Sequence, residues 1–375
     1  MRKEKRELRL VALAVTGVLL FTILTGCSKS KTAGGDKALP VIKIAVIMEA
    51  AVRPAIVVAT DTLGYYEEEG VKVEFINVDG ASGLPAVETG KADIYPFSAS
   101  SPLAAIARGG DLVIIAGTAT EGSSLVANKN NLDVDFRNFK NFKGKKIGVY
   151  ENDVVTYLFN ELVKQNIPDY REGDIEWVGF DDGNIILSAI RNGSVDAGFL
   201  VTELVWQAEE GGLKEAFDLA EFLPEYICCR QTASSKAVKE KRDALKAVLR
   251  AQIRAENLYK NDTNRFVDAV TKFTGLEREN VVRYIATEKN YYSTGLTKFR
   301  SPPSTNIMYN KLVKIWQVGI GLNLFSPVDG VKLKEHIDVS IYEDALKELI
   351  SRYPNEPNYQ TMYDIFKKDS SEYWG

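Results

Sequence analysis

Short polar corners that follow apolar, strand-like segments are the places in this sequence where chemistry is expected. One corner is residues 98–101 (Ser-Ala-Ser-Ser), and another is residues 201–203 (Val-Thr-Glu). Each precedes a segment with helical spacing, and the first amides of a helix lack partners within the helix and lie at its positive end. Small hydroxyl side chains let a ligand approach such amides, and they also cap helices. The corners therefore predict contacts to a small ligand, with helix capping alone as the alternative.

Charged and aromatic side chains occupy further corners of the same kind. Arg53 precedes Pro54 at a predicted helix start, where a cation opposes the helix dipole, so contact with an anion and a solvated surface position both stay open. Acidic corner residues such as Glu49 suit amino groups of a ligand, and Tyr150 suits stacking on a planar ligand. The predicted ligand-binding residues are Glu49, Arg53, Ser98, Ala99, Ser100, Thr118, Thr120, Tyr150, Asn152, Thr202 and Glu203.

Residue types that catalytic and metal sites need are scarce. The chain has one histidine, His336, and it has no Gly-x-Ser-x-Gly elbow, no Walker-type loop and no His/Cys set with metal-ligand spacing. The net charge of -4 gives no indication of the clustered basic surface that nucleic-acid binding needs. No catalytic residue, metal, cofactor or nucleic-acid partner is predicted, although Glu, Asp, Lys and Tyr remain available for acid–base chemistry.

The elements that position these corners occur twice in the chain. Gly90 and Asp93 in one segment match Gly193 and Asp196 in another, each 103 residues further on. The apolar strand around Ile44 has a counterpart at the same spacing around Ile147. Repetition at a fixed offset means repeated architecture, and strands that alternate with helices imply a mostly parallel sheet. Because ligands bind at the carboxyl ends of such strands, we expect the corners of two α/β lobes to face each other across a cleft.

Beyond residue 233 the pattern becomes helical, without a third copy of the strand and corner. Helices that pack on the outside of the first lobe are the simplest interpretation. The predicted organisation is a signal segment over 1–26, a tether over 27–39, lobe 1 over 40–123 and 233–350, lobe 2 over 124–232, and a C-terminal extension over 351–375.

The N-terminal segment has the pattern of an export signal. Residues 1–9 are basic and residues 10–24 are nearly all apolar, which is too short to span a bilayer comfortably. Residues 24–27 (Leu-Thr-Gly-Cys) resemble the bacterial lipobox, whose cleavage leaves Cys27 as a lipid-modified N-terminus. An uncleaved anchor helix is the alternative, and in either case the body is expected on the extracytoplasmic face of the cell membrane.

Two further cysteines, Cys228 and Cys229, are adjacent in the sequence. Their adjacency rules out an ordinary loop-closing disulfide between them, but a strained vicinal bridge stays open. Two small apolar residues in a strand are the plainer interpretation.

Several segments together resemble one protein family, the solute-binding proteins of nitrate, sulfonate, taurine and thiamine-precursor ABC importers. They are the lipobox and residues 64–74 (Gly-Tyr-Tyr-Glu-Glu-Glu-Gly-Val-Lys-Val-Glu), 88–93 (Glu-Thr-Gly-Lys-Ala-Asp), 142–149 (Phe-Lys-Gly-Lys-Lys-Ile-Gly-Val) and 338–346 (Asp-Val-Ser-Ile-Tyr-Glu-Asp-Ala-Leu). The likeness covers roughly residues 40–350.

The resemblance implies a type II periplasmic-binding-protein fold, α/β in class, with two lobes joined by two hinge strands. The hinge strands would lie near residues 121–128 and 227–234. The protein would capture a small planar or anionic metabolite, pyrimidine-like or sulfonate- and nitrate-like, by lobe closure. It would deliver this solute to a membrane permease and, through the permease, to its ATPase.

Two other functions stay open from the sequence. One is an exported enzyme on the same scaffold, since a relative of the family makes the thiamine pyrimidine with an active-site histidine and a cysteine-rich motif. This chain has neither in place. The other is a surface receptor that binds another protein, which would show an exposed apolar patch instead of a lined cleft.

Overall fold

The computed structural model of the chain describes residues 38–151, 153–285 and 301–374. The predicted signal segment, Cys27, most of the predicted tether and Asn152 lie outside the described residues. Within the described part of the chain, no helix combines the length and the apolar character needed to cross a bilayer.

The first sheet has five strands in the order β2-β1-β3-β10-β4. The strands are β1 (Val41–Val46), β2 (Lys72–Asn77), β3 (Ile94–Tyr95), β4 (Leu112–Thr120) and β10 (Ile227–Ser234). Strands β2 and β3 run parallel to β1, whereas β10 is antiparallel to both of its neighbours. All nine residues of β4 are buried, as expected for a strand covered on both faces of the sheet.

The second sheet repeats this arrangement, in the order β7-β6-β8-β5-β9. Its strands are β5 (Ser123–Ala127), β6 (Lys146–Tyr150), β7 (Glu176–Phe180), β8 (Ala197–Val201) and β9 (Lys214–Asp218). Strand β6 takes the place of β1, and the antiparallel strand β5 takes the place of β10. The repeat in the sequence is therefore a repeat in topology, and the prediction of two similar α/β lobes is confirmed.

Helices connect the strands and cover the sheets. Those up to residue 240 are α1 (Ala55–Thr62), α2 (Tyr65–Glu68), α3 (Gly83–Glu88), α4 (Ser100–Ala107), α5 (Val154–Asn166), α6 (Gly183–Asn192), α7 (Thr202–Glu210) and α8 (Ser235–Glu240). The later ones are α9 (Arg242–Asn261), α10 (Thr263–Thr274), α11 (Arg278–Ile285), α12 (Tyr309–Gly321), α13 (Val339–Arg352), α14 (Pro357–Asp369) and α15 (Ser371–Trp374). The long helix α9 packs against α1, α2, α10 and α13 and so joins the C-terminal half to the first lobe.

A buried carboxylate fixes α9 and α13 to the end of α2. The Glu69 side chain, 1% exposed, accepts hydrogen bonds from Arg250 at 2.7 Å, Arg254 at 2.9 Å and Arg352 at 2.7 Å. Burial opposes ionisation of this carboxyl, but the bonds from the three arginines hold the pKa of Glu69 below its ordinary value. The cluster is satisfied only when these helices are in place.

The chain crosses between the sheets at two short segments that lie side by side. Glu121 and Gly122 join β4 to β5 with φ angles of 60° and 97°, and Glu225 precedes β10 with a φ of 54°. The Glu121 amide donates to the carbonyl of Tyr226 at 3.1 Å, and the Glu225 amide donates to Oε1 of Glu121 at 2.7 Å. These two segments therefore form the hinge.

The hinge is shorter than the sequence predicts. Strand β5 lies entirely in the second sheet and β10 entirely in the first, so the return crossing comes before Ile227 and not along residues 227–234. The predicted lobe boundary at residue 232 is likewise too late, because β10 already pairs with β4 from Ile227 onward. The mixed apolar and polar sequence of β10 has no second copy in the chain, so it does not indicate which sheet the strand joins.

Candidate functional site between the lobes

A cavity of about 380 Å³ lies where strands of both sheets end. From the first lobe and the hinge it is lined by Ile47, Arg53, Gly80, Tyr95, Phe97, Ser98, Ser100, Ser101, Tyr226, Ile227, Cys228 and Cys229. From the second lobe it is lined by Ser123, Tyr150, Glu151, Asp153, Phe180, Asp181 and Val201. The carboxyl ends of β3, β6, β7 and β8 all contribute, which is the position expected for a ligand in sheets of this kind.

Aromatic rings form much of the cavity wall. Tyr95 and Phe97 lie with their ring centroids 5.4 Å apart in the first lobe. Burial raises the pKa of Tyr95 to about 12, so its phenol stays neutral and can donate a hydrogen bond. Tyr150 and Phe180 face the cavity from the second lobe, and Tyr226 faces it from the hinge. Such walls suit a planar ligand that stacks between the lobes.

Two glycines make room for the cavity tyrosines. A Cβ atom at Gly83 would overlap Cε2 of Tyr95, and one at Gly183 would overlap Oη of Tyr150. Gly83 is the first residue of α3, which follows β2, and Gly183 is the first residue of α6, which follows the equivalent strand β7. The same local device therefore positions one cavity ring in each lobe.

An ion pair links the lobes at the cavity. The Arg53 guanidinium, from the start of the first lobe, donates from Nε to Oε1 of Glu203 in α7 at 2.6 Å. Burial lowers the pKa of Arg53, but the carboxylate of Glu203, together with Tyr284 and Tyr150, raises it well above its ordinary value. The second oxygen of Glu203 is buried and has no hydrogen-bond partner among the described residues.

Three carboxylates give the cavity an acidic side. Asp153 caps helix α5, where it accepts from the amide of Val155 at 3.3 Å and from the hydroxyl of Thr156 at 2.5 Å. Burial raises the pKa of Asp153 despite these bonds. Glu151 and Asp181 line the cavity from exposed positions. Because Arg53 is already paired with Glu203, the charges left for a ligand are mostly negative.

The serine corner is held in an unusual backbone conformation. Ser98 has a φ of 35°, and its hydroxyl accepts from the amide of Ser101 at 3.2 Å. Holding a non-glycine residue at a positive φ costs of the order of 1–3 kcal/mol of conformational energy, and such residues cluster at functional sites. The amide of Ala99 is already bonded to the carbonyl of Cys228 at 3.0 Å, so this amide is used by the fold.

The structure brings together some of the residues predicted to bind ligand and separates others. Arg53, Ser98, Ser100 and Tyr150 line the cavity, and Glu203 contacts it through Arg53. The other predicted residues do not line this cavity. Glu49 is exposed, Ala99 and Thr118 are buried, and Thr120 lines a different cavity. Thr202 donates to the carbonyl of Gly122 at the hinge, and Asn152 is outside the described residues. Sequence reasoning missed Phe97, Tyr226 and the cysteine pair as lining residues, although it singled out the cysteines as a motif.

A larger cavity of about 630 Å³ lies within the C-terminal half. Its lining comes mainly from the end of α9, from residues 302–308 and from α14, and includes Glu256, Lys260, Tyr342 and Asp369. It has no contribution from the second sheet among its lining residues, and it is not at the carboxyl ends of parallel strands. We therefore assign the functional site to the smaller cavity between the lobes.

Comparison with known proteins gives a family. The family model described as NMT1/THI5 like matches residues 53–263, which is more than half of the chain. The chain belongs to the NMT1/THI5-like family. The match includes most of the cavity lining and all of lobe 2. No curated protein sequence matches this NMT1/THI5-like chain.

Solved structures share the fold of this NMT1/THI5-like protein at low sequence identity. The ligand-binding component of an ABC-type import system from Staphylococcus aureus, with zinc bound, is 17% identical, with a TM-score of 0.62 over 82% of this chain and 99% of that one. The putative periplasmic sulfonate-binding protein SsuA from Methylobacillus flagellatus KT is 19% identical, with a TM-score of 0.61 over 83% and 95% of the two chains.

An enzyme shares the same architecture. The desulfurization enzyme DSZB is 12% identical, with a TM-score of 0.59 over 83% of this chain and 99% of that one. Together these likenesses establish the predicted periplasmic-binding-protein fold for the NMT1/THI5-like chain, and at such low identity they establish the fold alone.

Proposed function

We propose that this protein is the extracytoplasmic solute-binding component of an ABC importer, held at the membrane by a lipid on Cys27. The observation that carries the proposal is the cavity at the strand ends of both lobes, bridged by the Arg53–Glu203 ion pair. A site divided between two lobes can bind by closing on its ligand, and the two hinge segments allow that motion. Binding then shifts an open–closed equilibrium, and the permease recognises the closed form.

The cavity favours a planar, partly polar solute over a bare oxyanion. Its walls are aromatic, and the carboxylates Glu151 and Asp181 line it from exposed positions beside Asp153, which caps helix α5. An oxyanion would meet these carboxylates while the nearby guanidinium is engaged with Glu203, whereas ring amino groups would find acceptors. A heterocycle with amino groups, of the pyrimidine kind, fits this surface, and sulfonates and nitrate are the competing ligands.

A screen of ligands tests both the function and the ligand class. The thermal unfolding of the full chain is measured with aminopyrimidines, aliphatic sulfonates or nitrate. A bound solute raises Tm because it stabilises the native state. At a concentration of a hundred times its Kd, this stabilisation is about 2.7 kcal/mol. We expect a shift with the heterocycles that is lost in Arg53→Gln and kept in Glu74→Gln, a change in an exposed ion pair with Lys72.

The outcomes of the screen are distinct. A shift only with sulfonates or nitrate would overturn the proposed ligand class and leave the transport function standing. No shift with any class, together with turnover of one compound, would favour an exported enzyme on this fold. That alternative has one specific observation in its favour, which is that two cysteine thiols line the cavity.

The lipid anchor has a separate test. In a bacterial host with lipoprotein processing, the chain is expected in the membrane fraction and Cys27→Ser in the soluble fraction. Cys228→Ser serves as the matched control because it removes a cysteine without touching the lipobox. Equal distribution of Cys27→Ser and the unaltered chain would contradict the anchor.

A further inference from the structure

The adjacent cysteines of β10 both face the cavity, which a regular strand does not allow. Successive side chains of a strand point to opposite faces, so neighbouring thiols are normally kept apart. Here the ladder between β10 and β4 is irregular on both sides of Cys229, with Ile227 opposite Thr120 and Cys229 opposite Ala119. A bulge of this kind re-aims side chains next to functional sites. It brings the two Sγ atoms to 3.0 Å from each other.

The backbone around the pair is fixed by hydrogen bonds on both carbonyls. The carbonyl of Cys228 accepts from the amide of Ala99 at 3.0 Å, and the carbonyl of Cys229 accepts from Nη1 of Arg230 at 2.7 Å. Arg230 is fully buried, so this second bond is shielded from water. The thiols are therefore held together before any reaction. Cys228 is half-buried, whereas Cys229 is 3% exposed, and both line the cavity through which a small reagent can reach them.

The electrostatic surroundings favour a thiolate at one sulfur. The hydrogen bond from the Cys228 thiol lowers the pKa of Cys229 against the effect of burial, and the charge of Arg53 lowers it further. A thiolate is the form that attacks disulfides. A metal is a poor explanation of the pair, because within residues 38–151, 153–285 and 301–374 no group of three or more His, Cys, Asp or Glu side chains could hold one.

We propose that Cys228 and Cys229 are a modification site, at which a low-molecular-weight disulfide such as oxidised glutathione reversibly forms a vicinal disulfide inside the cavity. One thiolate attacks a sulfur of the oxidant and releases one thiol, leaving a mixed disulfide. The second cysteine thiolate then displaces the other oxidant sulfur. The cysteine pair loses two electrons and two protons, and the oxidant becomes two thiols.

The product is expected to be reducible. Adjacent Cα atoms lie about 3.8 Å apart across a trans peptide, which is shorter than the roughly 4.4–6.8 Å usual for disulfides. Bridges that the backbone strains are the labile ones, whereas structural disulfides resist reduction. Because both sulfurs line the cavity, oxidation replaces two thiol groups on the surface that a ligand meets with one disulfide.

The test is a glutathione redox titration of the full chain with a peptide readout. Remaining thiols are alkylated after the reaction, and trypsin then releases residues 215–230, which contain both cysteines of the pair and exclude Cys27. We expect this peptide to lose the mass of two hydrogen atoms as oxidised glutathione increases, and to regain it with dithiothreitol. A peptide that carries two alkyl groups throughout, or stable glutathione adducts, would overturn the proposal.

Two comparisons separate the folded site from ordinary thiol chemistry. The urea-unfolded chain should need a ratio of oxidised to reduced glutathione about tenfold higher or more, because unfolding removes the preorganisation that raises the effective concentration. Equal titration of the folded and unfolded chains would contradict the proposal. The Cys228→Ser variant should instead give a single glutathione adduct on Cys229. None of these readouts needs the transported solute, so they stand apart from the ligand screen.

Discussion

At the scale of residues, the contact that matters most is the one between Arg53 and Glu203. The two side chains come from different lobes and are 29% and 21% exposed, so their bond is partly shielded from water. The second oxygen of Glu203 is buried and, within the described part of the chain, unsatisfied, and Glu203 contacts the cavity through Arg53. The pair therefore joins the two lobes beside the cavity.

The strength of this pair can be measured without any ligand. A double-mutant cycle of Arg53→Gln and Glu203→Gln should give a coupling free energy of about 1.5–3 kcal/mol in urea unfolding, as for hydrogen bonds to charged groups. The cycle of the exposed pair Lys72 and Glu74 serves as the control and should stay below about 1 kcal/mol. A coupling no larger than the control would show that the lobes are not held together there.

The glycine beside Tyr150 predicts a second effect at this scale. In Gly183→Ala the new methyl group would overlap the tyrosine hydroxyl, so we expect a loss of about 1–3 kcal/mol in unfolding free energy and a displaced cavity ring. Gly321→Ala is the control, because nothing lies within 4 Å of its added Cβ, and it should be neutral or slightly stabilising. Equal stability of the two variants would contradict the close approach of Tyr150.

Residue types predicted part of this site. Arg53 could be found because a cation at a helix start is unfavourable to the helix dipole, so its presence before Pro54 indicates an anionic partner. Its partner Glu203 was also predicted, but as a separate contact, since nothing local relates side chains 150 residues apart. Phe97 and Tyr226 were missed because aromatic residues in apolar segments give the same pattern whether they face a core or a cavity.

At the scale of elements, equivalent aspartates fix the same connection in each lobe. Asp93 accepts from the amide of Lys43 at 2.8 Å, and Asp196 accepts from the amide of Lys146 at 2.9 Å. Each carboxylate thereby joins the segment before one strand to the neighbouring parallel strand, β3 to β1 in the first lobe and β8 to β6 in the second. The repeat in the sequence thus has a structural cause at these two aspartates, which hold strands together.

The Glu69 cluster predicts how the C-terminal helices respond to pH. The pKa of Glu69 is lower in the folded protein than in the unfolded chain, so its contribution is complete above the ordinary glutamate pKa and is lost as pH falls through the folded value. Glu69→Gln should cost about 1.5–3 kcal/mol at neutral pH, because it removes the buried carboxylate that accepts hydrogen bonds from three arginines.

Urea unfolding at a series of pH values checks this prediction. The difference between Glu69→Gln and the unaltered chain should narrow as the pH falls, since protonation of Glu69 removes the same charge. The exposed Glu74→Gln serves as the control and should stay within about 1 kcal/mol at every pH. A difference that does not change with pH would contradict a depressed pKa at Glu69.

At the scale of the whole molecule, the chain crosses between the two sheets at two short segments, one before β5 and one before β10. The fixed offset of 103 residues was enough to predict two lobes, because strand and corner types recur in order. The exact crossing could not be predicted from the sequence, since β10 has a mixed apolar and polar sequence that either sheet could accept. Hydrogen bonding with β3 and β4, which no local pattern encodes, decides the matter.

The hinge predicts a change in the open–closed balance. Glu121→Ala removes the acceptor for the Glu225 amide and should loosen the link between the crossing segments. We expect a larger radius of gyration by small-angle scattering without ligand, and an apparent Kd that rises as the inverse of the remaining closed fraction. Glu121→Gln keeps an oxygen acceptor and is the matched control. The same radius for both variants would contradict a role of this bond in closure.

The pairing of β4 with β10 shows where lobe 2 is inserted in lobe 1. Thr120 and Ile227 are opposite each other on antiparallel neighbours, so residues 121–226 occupy the place of a hairpin turn. All strands of the second sheet lie inside this stretch, so lobe 2 is inserted between two neighbouring strands of lobe 1. Replacing residues 121–226 with an Asn-Gly turn should leave a one-lobe protein with its five-stranded sheet complete and cooperative unfolding retained. Such a protein would have half of a binding surface and nothing to close upon it.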